Sequence, residues 1–289
     1  MQEEKRMKSL IINIDDVGIS PAINEAVKKC YSLEVISGVS VVSCGTHFFE
    51  ACNMLEKIDK KEVGAHLTLT GGLLPCTKDL AKVRNLLGRK ETFLPTYKEL
   101  IPLYLKKKLN LEEVYLEFAS QIKKLKEEGL VVTHLDSHEH IHMLPGIMKI
   151  TLALAKEFKV PYVRLSKEPA YLMIKKFRPK DLARQTSLKV VTKTAKNLIS
   201  EEGLKCNDAF LGHFHSGRID NDILRFMMER LRDGVSELAV HPGVLSPELL
   251  DFSAWYRNAQ KELDALTTGN WRDCLTSGAV RLISHKEVS

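Results

Sequence analysis

Short apolar runs alternate with helix-like segments along most of this chain, and this alternation limits the possible folds more than any other feature. The runs are typical of buried strands, and the segments between them carry apolar residues at helical spacing. Each connection is long enough to cross over a sheet, which indicates parallel pairing. The predicted strands cover residues 9–14, 35–42, 63–69, 131–136, 161–165, 209–214, 237–241 and 279–283.

The predicted helices give the fold class. Ser20 and Pro21 mark a helix start, since serine is a good N-cap and proline suits the first helical position. Eight strands that alternate with helices match the strand number that closes a (β/α) barrel, so we predict an α/β fold, an irregular (β/α) TIM-like barrel. An open doubly wound sheet is the alternative, but its usual glycine-rich phosphate loop is missing after the first strand. The predicted helices cover residues 21–32, 46–58, 111–128, 145–158, 220–233 and 247–266.

Two segments interrupt the alternation of predicted strands and helices. Residues 73–110 contain three prolines, and residues 166–207 contain two prolines and a basic run around residues 175–178. We interpret both as insertions of loops and short helices near the active site, within one domain that covers residues 1–289.

Composition excludes several classes of protein. The chain has 289 residues, of which 44% are apolar and 28% charged, and its formal charge is only +6. Its lysine runs lack interleaved aromatic residues, which disfavours nucleic-acid binding, and no apolar segment approaches the roughly 20 residues of a membrane span. The six cysteines show no C-x-x-C pair. They are typical of free thiols in a reducing compartment, so we expect a cytoplasmic protein.

Residues 133–145, T-H-L-D-S-H-E-H-I-H-M-L-P, hold four of the ten histidines. The stretch follows an apolar strand, and if the strand continues, His138, His140 and His142 lie on one face. A polar loop that caps the next helix is the alternative. Four histidines within nine residues, with Asp136 among them, favour a metal site instead.

Polar residues lie within, at the end of, or directly after most of the predicted strands. In a (β/α) barrel the carboxyl ends of the strands carry the catalytic groups, so residues far apart in sequence converge there. The residues at these positions are Asp15, Asp16, His66, Asp136, His138, Arg164, His213, His215 and His241.

The residue types indicate a hydrolytic metal site. Two imidazoles and one carboxylate, with open positions, suit Zn²⁺ or a similar ion, whereas Mg²⁺ prefers more oxygen ligands. Mn²⁺, Co²⁺ and Mg²⁺ remain alternatives. Of Asp15 and Asp16, one could bind the metal while the other accepts a proton from the attacking water, although carboxylates before a helix can also simply favour its dipole.

The sequence allows more than one role for several other polar residues. His241, at the end of the seventh strand, is suited to be a general acid, and Asp136 could orient a ligand imidazole. Arg164 could hold a group of the substrate or serve as an ion-pair residue inside the barrel. His140 and His215 are candidates for supporting or substrate-binding roles.

Four motifs occur in the order of a known family: I-N-I-D-D-V-G-I-S-P-A-I-N, V-G-A-H-L-T-L-T, T-H-L-D-S-H-E-H-I-H-M-L-P and A-V-H-P-G. From about residue 8 to about residue 245, the chain resembles the YdjC-like carbohydrate deacetylases, a group that includes chito-oligosaccharide and hopanoid-biosynthesis deacetylases. The resemblance implies an irregular (β/α) barrel that uses a divalent metal to remove an acetyl group from an N-acetylated sugar.

The resemblance also implies residue roles. Asp16, His66 and His138 would bind the metal, Asp15 would be the general base and His241 the general acid. Family members are often homodimers. The chain departs from the motif at Val17, and its two irregular segments match no family motif, so these segments would shape the sugar pocket.

Three rival functions are weaker. A barrel phosphoesterase or amidohydrolase typically has H-x-H at the end of its first strand, where this chain has Asp15 and Asp16. A non-catalytic sugar-binding relative would need neither the base Asp15 nor the acid His241. A glycoside hydrolase would use paired carboxylates and leave the histidine cluster unexplained.

Overall fold

The computed structural model describes residues 7–173 and 192–288. Residues 174–191, which include the basic run 175–178, lie outside the described residues. Eight strands occur in the described ranges, as the apolar runs predict. They are β1 (Lys8–Val17), β2 (Gly38–Val41), β3 (Glu62–Leu67), β4 (Val131–Ser137), β5 (Tyr162–Val163), β6 (Ala209–Leu211), β7 (Gly234–Val240) and β8 (Arg281–Leu282).

Helices separate these strands, as the alternating pattern predicts. The insertion at 73–110 contains a 3₁₀ helix, Leu80–Leu86, and a short α-helix, which agrees with the expectation of short helices there. The helices are α1 (Pro21–Ser32), α2 (Phe48–Lys57), α3 (Tyr97–Leu105), α4 (Leu111–Glu127), α5 (Pro145–Glu157), α6 (residues 192–201), α7 (Asn221–Met228), α8 (Pro247–Phe252), α9 (Ala259–Thr268) and α10 (Asp273–Thr276).

The strands form one curled parallel sheet with the order β5-β4-β3-β2-β1-β7-β6. The prediction of parallel pairing is confirmed. Closure into a complete eight-stranded barrel is not, because no strand ladder in the described ranges joins the two edge strands, β5 and β6, and because β8 lies off this path. It pairs only with Ser9 and Leu10 of β1, on the edge that β2 occupies farther along the strand.

The two faces of β1 have different environments. Leu10, Ile12 and Ile14 belong to the main apolar core, together with the inner face of α1. Ile11, on the opposite face, packs against Tyr162 of β5. Because β1 and β5 are not neighbours in the sheet, this face points into the curl, and the two-residue period places Asp15 on the same face near the strand's carboxyl end.

The single helix predicted over residues 247–266 is wrong. The chain forms α8, then a 3₁₀ helix at Ala254–Asn258, and then α9. Ser253 causes the interruption, since its backbone is extended (φ −160°) and its hydroxyl accepts a hydrogen bond from the Trp255 N–H. An extended residue that caps a new helix ends the previous one.

No helix in the described ranges is long and apolar enough to cross a membrane. All six cysteines lie in these ranges, and all are free thiols.

Candidate metal centre

Asp16, His66 and His138 converge from the carboxyl ends of β1, β3 and β4. His138 Nδ1 lies 2.7 Å from Asp16 Oδ1, and His66 Nε2 lies 3.2 Å from the same oxygen. One ligand atom from each residue falls within 4.8 Å of the others. The Asp16 and His66 side chains are only 2% exposed, whereas that of His138 is 18% exposed, so solvent reaches the cluster from the His138 side.

The backbone at Asp16 separates two adjacent carboxylates. Asp16 has φ +64°, in the left-handed region that aspartate tolerates better than most residues, and the β1–β2 register shifts between Ile14 and Val17. As a result, Asp15 faces Arg164 while Asp16 faces the two imidazoles. This divergence is the one expected for neighbouring carboxylates with different roles.

Asp136 lies in hydrogen-bonding contact with the His66 ring. Its Oδ1 lies 2.9 Å from His66 Nδ1, which leaves His66 Nε2 directed at Asp16. The Ser40 hydroxyl donates to the other oxygen of Asp136 at 2.7 Å. A carboxylate at the far nitrogen of a ligand histidine fixes its tautomer and raises its basicity. The geometry therefore agrees with the orienting role predicted for Asp136.

The electrostatic environment of Asp16, His66 and His138 stabilises a positive charge between these residues. Burial works against a charged His66, but Asp136 and Asp15 outweigh it and raise the pKa of His66 to about 10. Burial likewise works against a charged Asp16, yet His138 and His66 hold the pKa of Asp16 well below its ordinary value. Two imidazole nitrogens, one carboxylate and a surrounding negative field fit a divalent cation, and this donor set suits zinc better than magnesium.

Tyr256 also contacts the cluster, although nothing in the local sequence indicated this role. Its hydroxyl donates to Asp16 Oδ2 at 2.6 Å. Burial and the nearby Asp16 raise the pKa of Tyr256 well above its ordinary range, so it remains a donor. Tyr256 thus fixes one oxygen of Asp16 while the other faces the imidazoles.

Arg164 is completely buried among three carboxylates. Its two terminal nitrogens lie 2.7 and 2.8 Å from the oxygens of Asp15, and Nη2 also lies 2.7 Å from Asp136 Oδ2. Its Nε donates to Glu237 Oε1 at 2.6 Å. Because its donors face protein carboxylates, the geometry favours the ion-pair interpretation of Arg164 over contact with a substrate.

The structural role of Glu237 was not predicted from the sequence, although a charged residue within the apolar run of β7 could have indicated a buried ion pair. Glu237 is fully buried and also accepts a hydrogen bond from the Tyr162 hydroxyl at 2.6 Å. Burial alone would raise the pKa of Glu237, but Arg164 and His285 outweigh it and lower the pKa to about 2.

This shift predicts an acid-sensitive contribution to stability. A carboxyl whose folded pKa is depressed stabilises the fold above its unfolded pKa of about 4.3, and the contribution is lost as pH falls toward about 2. We expect Glu237→Gln to lower the free energy of unfolding at pH 7 and to show a weaker decline than wild type between about pH 4.5 and 2. Urea unfolding over a pH series measures both. Exposed Glu56→Gln serves as the matched control, and equal pH slopes for wild type and Glu237→Gln would contradict the prediction.

His241 lies near both aspartates, and its side chain is 14% exposed. Its Nε2 is 3.9 Å from Asp15 Oδ2 and 3.9 Å from Asp16 Oδ2, and its ring packs edge-on against Trp255. The buried Glu262 accepts the His241 backbone N–H at 2.8 Å and so fixes the end of β7. This position is compatible with the predicted role of a general acid.

His138, His140 and His142 do not share one face, because β4 does not continue through them. The strand ends at Ser137, and Glu139 and His140 both adopt positive φ, which turns the chain. His140 Nδ1 lies 3.1 Å from Ser166 Oγ, whereas His142 Nε2 lies 3.0 Å from the Arg164 carbonyl oxygen. Only His138 of the three faces Asp16.

His215 and His213 do not join the cluster. His215 is buried, with Nε2 3.0 Å from the Leu172 carbonyl oxygen, where it holds the 3₁₀ helix at Ala170–Met173. The His213 ring packs against His140 at a centroid distance of 5.2 Å. The supporting or substrate-binding roles of His140 and His215 stay predictions.

The fold and the cluster together define a class: an α/β protein with a candidate metal centre at the carboxyl ends of a curled parallel sheet. Within that class, the chain belongs to the YdjC-like protein family, whose sequence model matches residues 9–277.

Named relatives match nearly the whole chain. It is 25% identical over 284 residues to the carbohydrate deacetylase of Clostridium beijerinckii, covering 96% of this chain and 99% of the relative. The carbohydrate deacetylase of Thermoanaerobacter pseudethanolicus is 25% identical over 261 residues, covering 90% and 91%. A crystal structure from Enterococcus faecalis V583, provisionally described as a cellobiose-phosphate cleavage protein, has 22% identity and a TM-score of 0.81 over 98% of this chain and 99% of that one. This structural similarity shows the shared fold.

Proposed function

We propose that this protein is a metal-dependent carbohydrate deacetylase that hydrolyses the acetamide of an N-acetylated sugar. The convergence of Asp16, His66 and His138, with Asp15 and His241 beside them, carries the proposal. Family membership and the names of the two relatives support it.

Asp16, His66 and His138 would hold the divalent ion, and zinc is favoured by the two imidazoles. Such an ion would polarise the acetyl carbonyl and make the attacking water more acidic. The chain's own contribution is to fix these donors: Asp136 orients His66, and Tyr256 holds Asp16.

Asp15 would accept the proton of the attacking water. Burial works against its charged form, but Arg164 and His66 outweigh it and lower the pKa of Asp15 to about 2, so it is ionised at neutral pH. Arg164 binds both Asp15 oxygens, which fixes the direction of the carboxylate. The proton acceptor is thus charged and held in one position before substrate arrives.

His241 would donate a proton to the departing amine nitrogen. Its Nε2 lies 3.9 Å from Asp15 Oδ2, so the proposed acid and base lie side by side. A leaving amine must be protonated as the C–N bond breaks, and a positioned histidine is suited to that step.

We further infer that the curled sheet is an irregular (β/α) barrel in one domain. Backbone hydrogen bonds between residues 161–167 and 205–210 support this inference, because they connect the regions of β5 and β6. The Val163 N–H donates to the Lys205 carbonyl at 3.0 Å, and the Phe210 N–H donates to the Lys167 carbonyl at 2.9 Å. The carboxyl ends of the strands in such a barrel form the mouth of the site.

Acetate release from N-acetylglucosamine oligomers and their phosphates by the metal-loaded protein tests the proposal. We expect release by wild type and a loss of about 10²–10⁴-fold in turnover for Asp15→Asn with the metal still bound, since a general base contributes about that much. Acetate assay and metal analysis are run on the same samples.

Exposed Asp251→Asn is the matched control and is expected to retain full activity. Hydrolysis of a phosphate ester with no acetate release from any N-acetyl sugar would replace the proposal with the phosphoesterase alternative. Metal binding without turnover of either substrate would favour the sugar-binding alternative.

A further inference from the structure

Cys44 and Cys76 touch each other and have no part in the proposed reaction. Cys44 lies in the loop after β2 and Cys76 in the loop after β3. Their Sγ atoms are 3.1 Å apart, and both residues are half-buried. A disulfide has an S–S distance of about 2.05 Å. An approach of about 1 Å would therefore join two thiols that are already in contact.

A carboxylate lies beside the pair, but it is occupied. Glu117 is fully buried and 3.6 Å from Cys44 Sγ. It accepts the backbone N–H groups of Cys76 at 2.9 Å and Thr77 at 3.0 Å, and the Gln121 side-chain amide at 2.9 Å. Since these bonds hold the loop, using Glu117 as a metal ligand would disturb them. The geometry therefore favours thiol chemistry over a second metal site.

The surroundings favour a reactive thiolate. Lys124 Nζ donates to the Ser43 carbonyl at 2.7 Å, which places a positive charge beside Cys44. The hydrogen bond from the Cys44 thiol lowers the pKa of Cys76. Cysteines near a cation and partly open to solvent are the reactive ones, because the thiolate is the nucleophile.

We propose that Cys44 and Cys76 form a reversible disulfide when the protein meets hydrogen peroxide. The Cys76 sulfur attacks one peroxide oxygen, so that an S–O bond forms, the O–O bond breaks, and water leaves with the thiol proton. The Cys44 sulfur then attacks the sulfur of the Cys76 sulfenic acid, so that the S–S bond forms, the S–O bond breaks, and a second water leaves with the Cys44 thiol proton. One peroxide is reduced, and two thiols are oxidised.

The disulfide would restrain a loop that borders the candidate metal centre. Gly71 precedes Cys76 on this loop, and a Cβ at Gly71 would lie 3.9 Å from His138 Nε2. A bond between Cys44 and Cys76 closes a loop of the chain that contains β3. This loop reduces the conformational entropy of the unfolded state. Oxidation is expected to raise the thermal midpoint by about 5 °C without removing the metal.

Mass spectrometry of the peroxide-treated, folded protein tests the proposal. We expect wild type to lose two hydrogens and two reactive thiols, to yield a Cys44–Cys76 cross-linked peptide, and to recover with dithiothreitol. Cys44→Ser and Cys76→Ser should each abolish the cross-link and the rise in thermal midpoint. Cys206→Ser, at another half-buried cysteine, should keep both.

Three results would overturn the proposal. One is wild-type protein that gains oxygen atoms at Cys76 without a cross-link. Another is a mass loss that persists in both single variants, which would place the disulfide elsewhere. A third is zinc content that falls in Cys44→Ser and Cys76→Ser but not in Cys206→Ser, which would indicate a metal site. None of these results depends on whether the protein deacetylates sugars.

Discussion

Asp16→Asn is expected to weaken metal binding by more than about a hundredfold and to lower acetate release by about a thousandfold or more. Asp16 supplies the only carboxylate of the proposed ligand set, and its Oδ1 is the atom that both imidazoles approach. Asparagine has the same shape and tolerates the left-handed backbone at φ +64°. The change therefore removes charge and leaves the fold intact. Equilibrium dialysis measures the metal, and the acetate assay measures turnover.

Asp59→Asn provides an unusually close control. Asp59 also has a positive φ, of 53°, but it is exposed and lies outside the cluster. The same substitution on the same kind of backbone should leave metal content and turnover unchanged. If Asp16→Asn keeps both, the three residues are not the metal centre. If it loses metal but keeps acetate release, the metal has no part in the reaction.

The convergence of the site could be predicted from sequence because it follows from topology. Parallel strands place their carboxyl ends at one edge of the sheet, so polar residues at successive strand ends must meet. Asp16, His66 and His138 are among the polar residues predicted to converge, and the structure brings them together. Only the approximate ends of the strands are needed for this prediction.

The local turn after β4 could not be predicted in the same way. Alternating histidines suggest a continued strand, but a period of two does not show where a strand ends. Here the Glu139 carboxylate accepts the Tyr97 N–H at 2.6 Å, a bond to a residue on the separate segment that carries α3. The left-handed conformations of Glu139 and His140 therefore depend on tertiary contacts.

The short lengths of β5 and β6 have a similar non-local origin. Periodicity predicted longer strands than the two residues of β5 and the three of β6. Between β5 and β6, the Asn207 side chain accepts a hydrogen bond from the Leu165 N–H at 2.8 Å and donates one to the Leu165 carbonyl at 2.8 Å. One amide side chain thus replaces the backbone of a neighbouring strand, and hydrophobic patterning carries no signal for such a substitution.

The residues that bind the aspartates lie far from them in the sequence, so local sequence patterns do not reveal them. Tyr256, which binds Asp16, lies 240 residues away and follows a helix break that the sequence pattern did not show. Glu237 could have been predicted from the sequence, because a carboxylate in an apolar strand requires a buried partner. The sequence offers Arg164 as a possible ion-pair residue inside the barrel, but nothing local links Arg164 to Glu237.

Arg164→Met is expected to lower the free energy of unfolding by about 3–5 kcal/mol or more, because it leaves buried carboxylates without a counter-ion. Asp15, Asp136 and Glu237 all lie within 2.8 Å of the Arg164 nitrogens. Methionine keeps most of the apolar stem of arginine, so the loss reports on charge more than on packing. Urea unfolding at pH 7 measures it.

Arg225→Met is the matched control, since Arg225 forms an exposed pair with Glu229 at 3.1 Å. An exposed pair of this kind contributes about 1 kcal/mol or less. The pH dependence separates charge from packing. Without Arg164, burial raises the pKa values of Asp15 and Glu237 in the folded state, so the folded protein binds protons first and the stability deficit should shrink as pH falls from 7 toward 4. A deficit that stays constant over this range would mean that Arg164 stabilises the fold through its contacts and not through its charge.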